Sequence, residues 1–294
     1  MVIFSDEELL QLEARFSPGE STGYLGRYKF RKECFDALPV HIRLVVKNRL
    51  VVFAGSKQVN PSDDWLFANV ESFISLRDNW EFKKRDIRND ELYVSRLGIE
   101  MPVEALLSYR AIEKIICLLQ GMVIEDQYCG ARVYFIDHYL IWKHSIDTMP
   151  MQMKDQLWIL IMTILDPAVD PRGQQARFNS FVDFAVTYDN WQIAYDNWQI
   201  MHEGEDPDDG YLLSFAKIDD LIEQLALDLC DGKNVTSKLD LFKIYLPNKA
   251  FLDELPKSER DSWRDRMLEE LSHDVISDKF LGEFEEFVSI GTSK

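Results

Sequence analysis

The chain has 294 residues, 51 Asp and Glu against 33 Lys and Arg, a formal net charge of −18 and a pI near 4.7. That balance counts against non-specific binding to nucleic-acid phosphates and against docking on anionic membranes, since both draw on Lys and Arg. With 46% hydrophobic and 12% aromatic residues the chain can bury a sizeable core, so its acidity does not mark a disordered tail.

In chain order, Ser5, Asp6, Glu7 and Glu8 followed by Leu9, Leu10 and Leu12 form a capping box that opens a short helix ending near Pro18 and Gly19. From Tyr24 to Phe30 apolar residues alternate with Arg27, Lys29 and Arg31, the period of a strand with one wet face. Ile42 to Phe53 contains two β-branched runs separated by Lys47 and Asn48, which predicts a hairpin. After a polar loop at 55–64, Phe67, Val70, Phe73, Ile74 and Leu76 share one face of a helix over Trp65 to Trp80. The basic cluster Lys83 to Arg88 reads as a solvated linker whose field is largely cancelled by Glu81, Asp86, Asp90 and Glu91. Pro102 to Gly121 is the clearest helix, with Pro at its start and Gly at its end. Arg132 to Lys143 reads as a second hairpin about Asp137 and His138.

Met149 to Leu165 returns to helix, and Gln174 to His202 gives one long helix or two short ones. Inside the latter lies a tandem repeat, Tyr188 to Ala194 followed by Tyr195 to Ile200. A seven-residue period on a helix shifts each residue only about 20° from its duplicate. Tyr188, Trp191, Tyr195 and Trp198 therefore form one aromatic stripe, either a duplication tolerated because it keeps phase or a ridge for helix contact or self-association. An acidic linker at 203–210 precedes an amphipathic helix from Ile218 to Cys230. Leu239 to Leu246 fits strand or helix, and helices from Ser258 and from Phe280 to Ile290 close the chain.

The expected fold is α+β, mostly helical with two β-hairpins in the N-terminal half. Its regions are a mixed α/β part at 1–100, a helix–hairpin–helix part at 101–202 and an acidic helical part at 203–294. The last region carries 23 acidic and 11 basic side chains, and so most of the excess charge. Asp206, Asp208, Asp209, Asp219, Asp220 and Glu223 join the aromatic stripe as candidate interface residues, steering toward a basic partner.

No Walker, GxGxxG, GxSxG or HExxH pattern is present, and setting Gly210 at the EF-hand glycine puts Pro207 and Ala216 at ligand positions. Asp206, Asp208 and Asp209 could hold at most a loosely bound cation, so neither metal nor cofactor is expected. The alternative is an enzyme of unrecognised type whose site is assembled from distant residues such as His138, His144, Cys129 and the acids at 206–209, in which Cys129, His138 and Asp137 can be drawn as a nucleophile–base set. Cys34, Cys117, Cys129 and Cys230 have no CxxC spacing, the N-terminus is acidic, and the strongest apolar stretch, Leu157 to Leu165, is far shorter than the roughly 20 residues of a membrane span. These features point to a soluble protein of a reducing cytoplasm.

The length, the acidity and the stretch from Phe4-Ser-Asp-Glu-Glu through Arg27-Tyr-Lys-Phe-Arg31 resemble phage-encoded anti-defence proteins, in particular the inhibitor of the bacterial Gabija system. That resemblance implies an oligomeric inhibitor in the host cytoplasm that wraps a nuclease–helicase defence complex and blocks its access to DNA. The expected function is accordingly a non-enzymatic, acidic protein-binding inhibitor of a larger complex with a basic surface, with no direct nucleic-acid contact and a possible homo-oligomeric state. Toxin-immunity proteins share the same acidic, non-enzymatic profile.

Overall fold

The computed structural model describes residues 2–15, 24–55, 64–97, 105–125, 127, 129–201 and 211–292. Among these residues every regular element is helical and no strand is present. The chain divides into two compact units, Met1–Ile141 and Trp142–Lys294.

Among the described residues the α-helices come in three successive sets of five. The first is α1 (Asp6–Glu13), α2 (Tyr24–Phe30), α3 (Lys32–Asp36), α4 (Val40–Gly55) and α5 (Asp64–Leu97). The second is α6 (Tyr109–Ile124), α7 (Gly130–Ile141), α8 (Lys143–Thr148), α9 (Met151–Leu165) and α10 (Gln175–Met201). The third is α11 (Phe215–Cys230), α12 (Thr236–Tyr245), α13 (Lys249–Asp253), α14 (Lys257–Ser272) and α15 (Asp278–Thr292), with a 3₁₀ turn at Leu246–Asn248.

The sets are copies of one design. The spacing Tyr-x3-Lys-x3-Asp-x2-Pro-x3-(Arg/Lys) occurs at Tyr28/Lys32/Asp36/Pro39/Arg43, at Tyr139/Lys143/Asp147/Pro150/Lys154 and at Tyr245/Lys249/Asp253/Pro256/Arg260. In each copy the Lys pairs with the Asp one helical turn on. The basic residue after the Pro donates to that Asp's backbone carbonyl: Arg43 Nη1 to Asp36 at 3.3 Å, Lys154 Nζ to Asp147 at 3.0 Å and Arg260 Nη1 to Asp253 at 2.6 Å.

The Tyr hydroxyl holds the segment that leads into each copy's first helix. Leu107 N donates to Tyr139 Oη at 3.0 Å, Leu213 N to Tyr245 Oη at 3.2 Å, and the Phe4 backbone bonds Tyr28. The Asp reaches the same segment, accepting from Ile3 N at 2.7 Å in the first copy and from Leu212 N at 2.9 Å in the third. The next residue is always the helix cap: Ser5, Ser108 and Ser214 accept from the amides of Glu8, Ala111 and Lys217. Such a cap contributes about 1 kcal/mol, and Glu8 completes the expected capping box on Ser5.

The cores of the second and third copies are in register. Val133, Phe135, Ile136, Tyr139 and Leu140 of α7 reappear 106 residues later as Leu239, Leu241, Phe242, Tyr245 and Leu246, and all ten are buried. Ile112, Ile116, Leu119 and Val123 of α6 match Ile218, Ile222, Leu225 and Leu229 of α11 in the same way. In the first unit the long last helix α5 packs on α7, and in the second α10 packs on α12. One polar pair marks each of these contacts, Asn79 Nδ2 to Asp137 Oδ1 at 2.7 Å and Lys243 Nζ to Asp183 Oδ1 at 2.7 Å.

The α+β expectation is therefore corrected: neither hairpin nor the Tyr24–Phe30 strand forms. In α4, Ile42, Val46 and Leu50 are 0%, 1% and 0% exposed, while Val51 and Val52 face water. A four-residue burial period thus overrides β-branched propensity, which is a weak preference without a strand partner. In α7 the buried residues Val133, Ile136, Tyr139 and Leu140 follow the same helical period through Asp137 and His138. In α2, Leu25 and Tyr28 share the buried face, and Arg27 and Lys29 form the wet side. The expected Pro102–Gly121 helix begins instead at Tyr109 and runs through Gly121 to Ile124. Lys83 and Lys84 lie within α5, where Lys84 pairs with Glu113 at 3.2 Å.

Candidate protein-binding groove

The duplicated heptad lies on α10 as a single unbroken helix. Its rings stack as a ladder, with centroids 6.1 Å apart from Phe184 to Tyr188, 5.6 Å to Trp191, 5.8 Å to Tyr195 and 6.4 Å to Trp198. Most of this stripe is spent on packing within the second unit. Tyr195 and Trp198 lie 5.4 and 5.3 Å from the Phe215 ring at the start of α11, and Trp198 Nε1 donates to Tyr211 Oη at 2.9 Å. The equivalent donor of the first heptad, Trp191 Nε1, is buried without an acceptor among the described residues. Tyr188 is half-buried, and burial, with the charge of Asp219 second, raises its hydroxyl above the usual tyrosine value.

The other face of the duplicated segment forms one wall of a groove of about 910 Å3. Asn190 and Asn197, Ile193 and Ile200 are the corresponding residues of the two heptads, and Ala194 lies between them. The opposite wall is the Leu246–Asn248 turn and α13, through Leu246, Pro247, Ala250 and Glu254. Trp198, Tyr211 and Phe215 supply aromatic surface, and Lys249 and Asp253 also border the space.

Lys249 is the only base among the described residues of that lining, and the clamp consumes it. Its Nζ donates to Asp253 Oδ2 at 2.7 Å and to Leu213 O at 3.0 Å, and lies 4.6 and 4.5 Å from the Tyr211 and Phe215 ring centres. Burial pulls the Lys249 ammonium below its usual value and pushes the Asp253 carboxyl up, each opposed by the other's charge. Burial raises Tyr245 as well, so its hydroxyl stays protonated as a hydrogen-bonding group. The net result is an aromatic and aliphatic trough with amide side chains and an exposed carboxylate, Glu254, on its rim.

Of the sequence-predicted interface residues, the structure brings Tyr188, Trp191, Tyr195 and Trp198 together, and of these only Trp198 reaches the groove. Asp219, Asp220 and Glu223 are exposed along α11. Asp206, Asp208 and Asp209 lie outside the described residues. Sequence reasoning missed Tyr211, Phe215, Lys249, Asp253 and Glu254; the signal was the third recurrence of the Tyr-Lys-Asp-Pro spacing.

The alternative catalytic set is not assembled as a nucleophile and base. Cys129 is fully buried and its thiol is pushed up to about 12 by burial, so it stays protonated at neutral pH. Asp137 is taken by Asn79, and His138 stacks on Tyr134 at 4.0 Å. His144 lies exposed on α8, in the second unit. Among the described residues no group of three or more His, Cys, Asp or Glu is placed to hold a metal ion, and no helix is long and apolar enough to cross a membrane. No protein-family model, curated protein or solved structure matches the chain.

Proposed function

We propose that the chain is a non-enzymatic protein-binding module that captures a basic segment of a larger protein partner between α10 and the acidic last copy. The observation that carries this reading is the groove beside α13: largely aliphatic walls with two Asn side chains, aromatic surface from Trp198, Tyr211 and Phe215, and Glu254 as the one exposed charge among its described lining residues. A Lys or Arg flanked by apolar residues suits it, since a cationic head gains from an aromatic face and a carboxylate. The ionisable groups of the repeated motif, whose lysines are buried in the second and third copies, support the same reading. They recur in three copies in the same structural contacts, which is the pattern of a scaffold. Asp219, Asp220 and Glu223 would speed encounter with a basic surface.

The finer proposal, an anti-defence inhibitor that blocks a nucleic-acid-processing complex from its DNA, rests only on the resemblance in length, acidity and N-terminal stretch. The test is capture of a stoichiometric partner from bacterial lysate by the tagged chain and by its Ile193→Asp/Ile200→Asp variant. Both isoleucines are exposed, at 53% and 79%, so the variant should keep its fold. Loss of capture by the variant is expected, as is an on-rate about tenfold lower at low salt after Asp219→Asn/Asp220→Asn/Glu223→Gln. Equal capture by both proteins, or turnover of a small substrate with no partner, overturns the reading.

A further inference from the structure

Helix α9 carries large apolar residues on its water-facing side as well as on its buried one. Met153, Leu157, Leu160, Ile161 and Ile164 are buried, yet Met151, Trp158, Ile159 and Met162 are 62%, 41%, 57% and 49% exposed. The spacing i, i+7, i+8, i+11 places those four within about 100° of one another, one stripe along the water-facing side. Single exposed apolar residues need no explanation, but a stripe of two Met, a Trp and an Ile on one helix does.

The internal repeat shows that the scaffold does not require it. The residues at the same positions of α14, counted from the motif Pro, are Lys257, Arg264, Asp265 and Leu268. That helix forms and buries Met267 and Leu271 all the same. The second copy has therefore kept, on a surface where the third copy carries charge, the residue types that serve as interface anchors and adaptable contacts.

We infer that the outer face of α9 is a docking surface for a basic amphipathic helix of a protein partner. A lone helical stripe is best covered by another helix, whose side-chain ridges fit between its own. The charge around the stripe selects the sign. Asp155 stands between Met151 and Trp158, Asp166 caps the C-terminal end, and both are exposed. The helix's only base, Lys154, is buried with its Nζ on the Asp147 carbonyl. Residues 142–294 carry 30 acidic and 15 basic side chains, so a second copy of this chain would bring like charge to the face, whereas a helix with Lys or Arg beside its apolar stripe brings the complement. This surface is separate from the groove lining and does not depend on the groove being occupied.

The test uses the full chain and a fluorescein-labelled synthetic peptide of about 18 residues, with Leu at helical i, i+3, i+4, i+7 spacing and Lys elsewhere. A scrambled peptide of the same composition separates helix recognition from charge attraction. Anisotropy titrations at about 150 mM salt limit the long-range component. The decisive variant gives α9 the third copy's residues, Met151→Lys/Trp158→Arg/Ile159→Asp/Met162→Leu, which the same scaffold already accepts; Ile159→Asp alone is the fallback if its circular dichroism changes.

Tighter binding of the helical than of the scrambled peptide is expected, with an affinity loss of about tenfold or more in the variant. Asp155→Asn/Asp166→Asn should flatten the salt dependence, and Ile193→Asp/Ile200→Asp should bind the peptide as the native chain does, which separates this proposal from the groove. Equal binding of the two peptides, unchanged affinity in the face variant, or a native oligomer that the face variant dissolves would each overturn it.

Discussion

At the scale of the residue, the clamp formed by Tyr, Lys and Asp explains why charged side chains occupy the interior. Lys143, Lys154 and Lys249 are all at most 6% exposed, a cost that only direct pairing and hydrogen bonds to backbone can offset. Lys249→Met should therefore destabilise the protein by about 3–5 kcal/mol in urea unfolding, because it strands the Asp253 carboxylate. Lys249→Met/Asp253→Asn should recover part of that loss, since Asn keeps an acceptor for the Leu212 amide without a buried charge. If the double variant is no more stable than the single one, the charge is not what the lysine compensates. None of this was legible from composition: Lys249 lies in an ordinary-looking stretch, Pro247-Asn248-Lys249-Ala250, and only its spacing to Tyr245 and Asp253 marks it.

At the scale of the element, helices with a clean apolar period and strong helix formers, such as α9 and α11, were readable to within a few residues. The failures came where β-branched runs allow two periods at once. The paired β-branched residues Val45-Val46 and Val51-Val52, set about Lys47 and Asn48, fit two short strands and a turn, and the buried set Ile42, Val46, Leu50 emerges only when the helix is packed. The tandem heptad was visible as a repeat, and its phase-keeping argument correctly gives one stacked aromatic ladder. The groove on its other face was not visible, because its second wall comes from residues some 50 positions later.

Deleting residues 188–194 should shorten α10 by about 10.5 Å while turning its end by only about 20°. The deletion chain should still melt cooperatively, at a stability cost of about 3–5 kcal/mol for the lost Trp198 cluster, and should no longer capture a groove ligand. A chain that fails to fold, by circular dichroism and heteronuclear NMR dispersion, would show that the second heptad belongs to the core and is no addition to it.

At the scale of the whole molecule, the charge is regional. Residues 1–141 hold 21 acidic and 18 basic side chains, and residues 142–294 hold 30 and 15. Self-repulsion in the second unit should make stability depend on salt: raising ionic strength from about 10 to about 150 mM should raise the melting temperature by about 2–4 °C. A flat or falling melting temperature would mean that local pairs such as Lys243–Asp183 and Arg266–Glu283 already balance the field. The threefold repetition escaped detection for a reason that belongs to this scale. The second and third copies share few identities over their matched stretch and agree mainly in the spacing of buried positions, so only burial and hydrogen bonding make the correspondence plain.

The clamp also bears on how the chain is made. Its partners within each copy stand a few tens of residues apart, from the capped segment at Ile3 to Arg43 in the first and from Leu212 to Arg260 in the third. A ribosome delivers the whole of one clamp before it has begun the next, and contacts this local close quickly. Vectorial synthesis thus meets a series of short closures in place of one long search. What each finished copy leaves open to the cell is the flank of its last helix, α5 or α10, until α7 or α12 emerges to cover it.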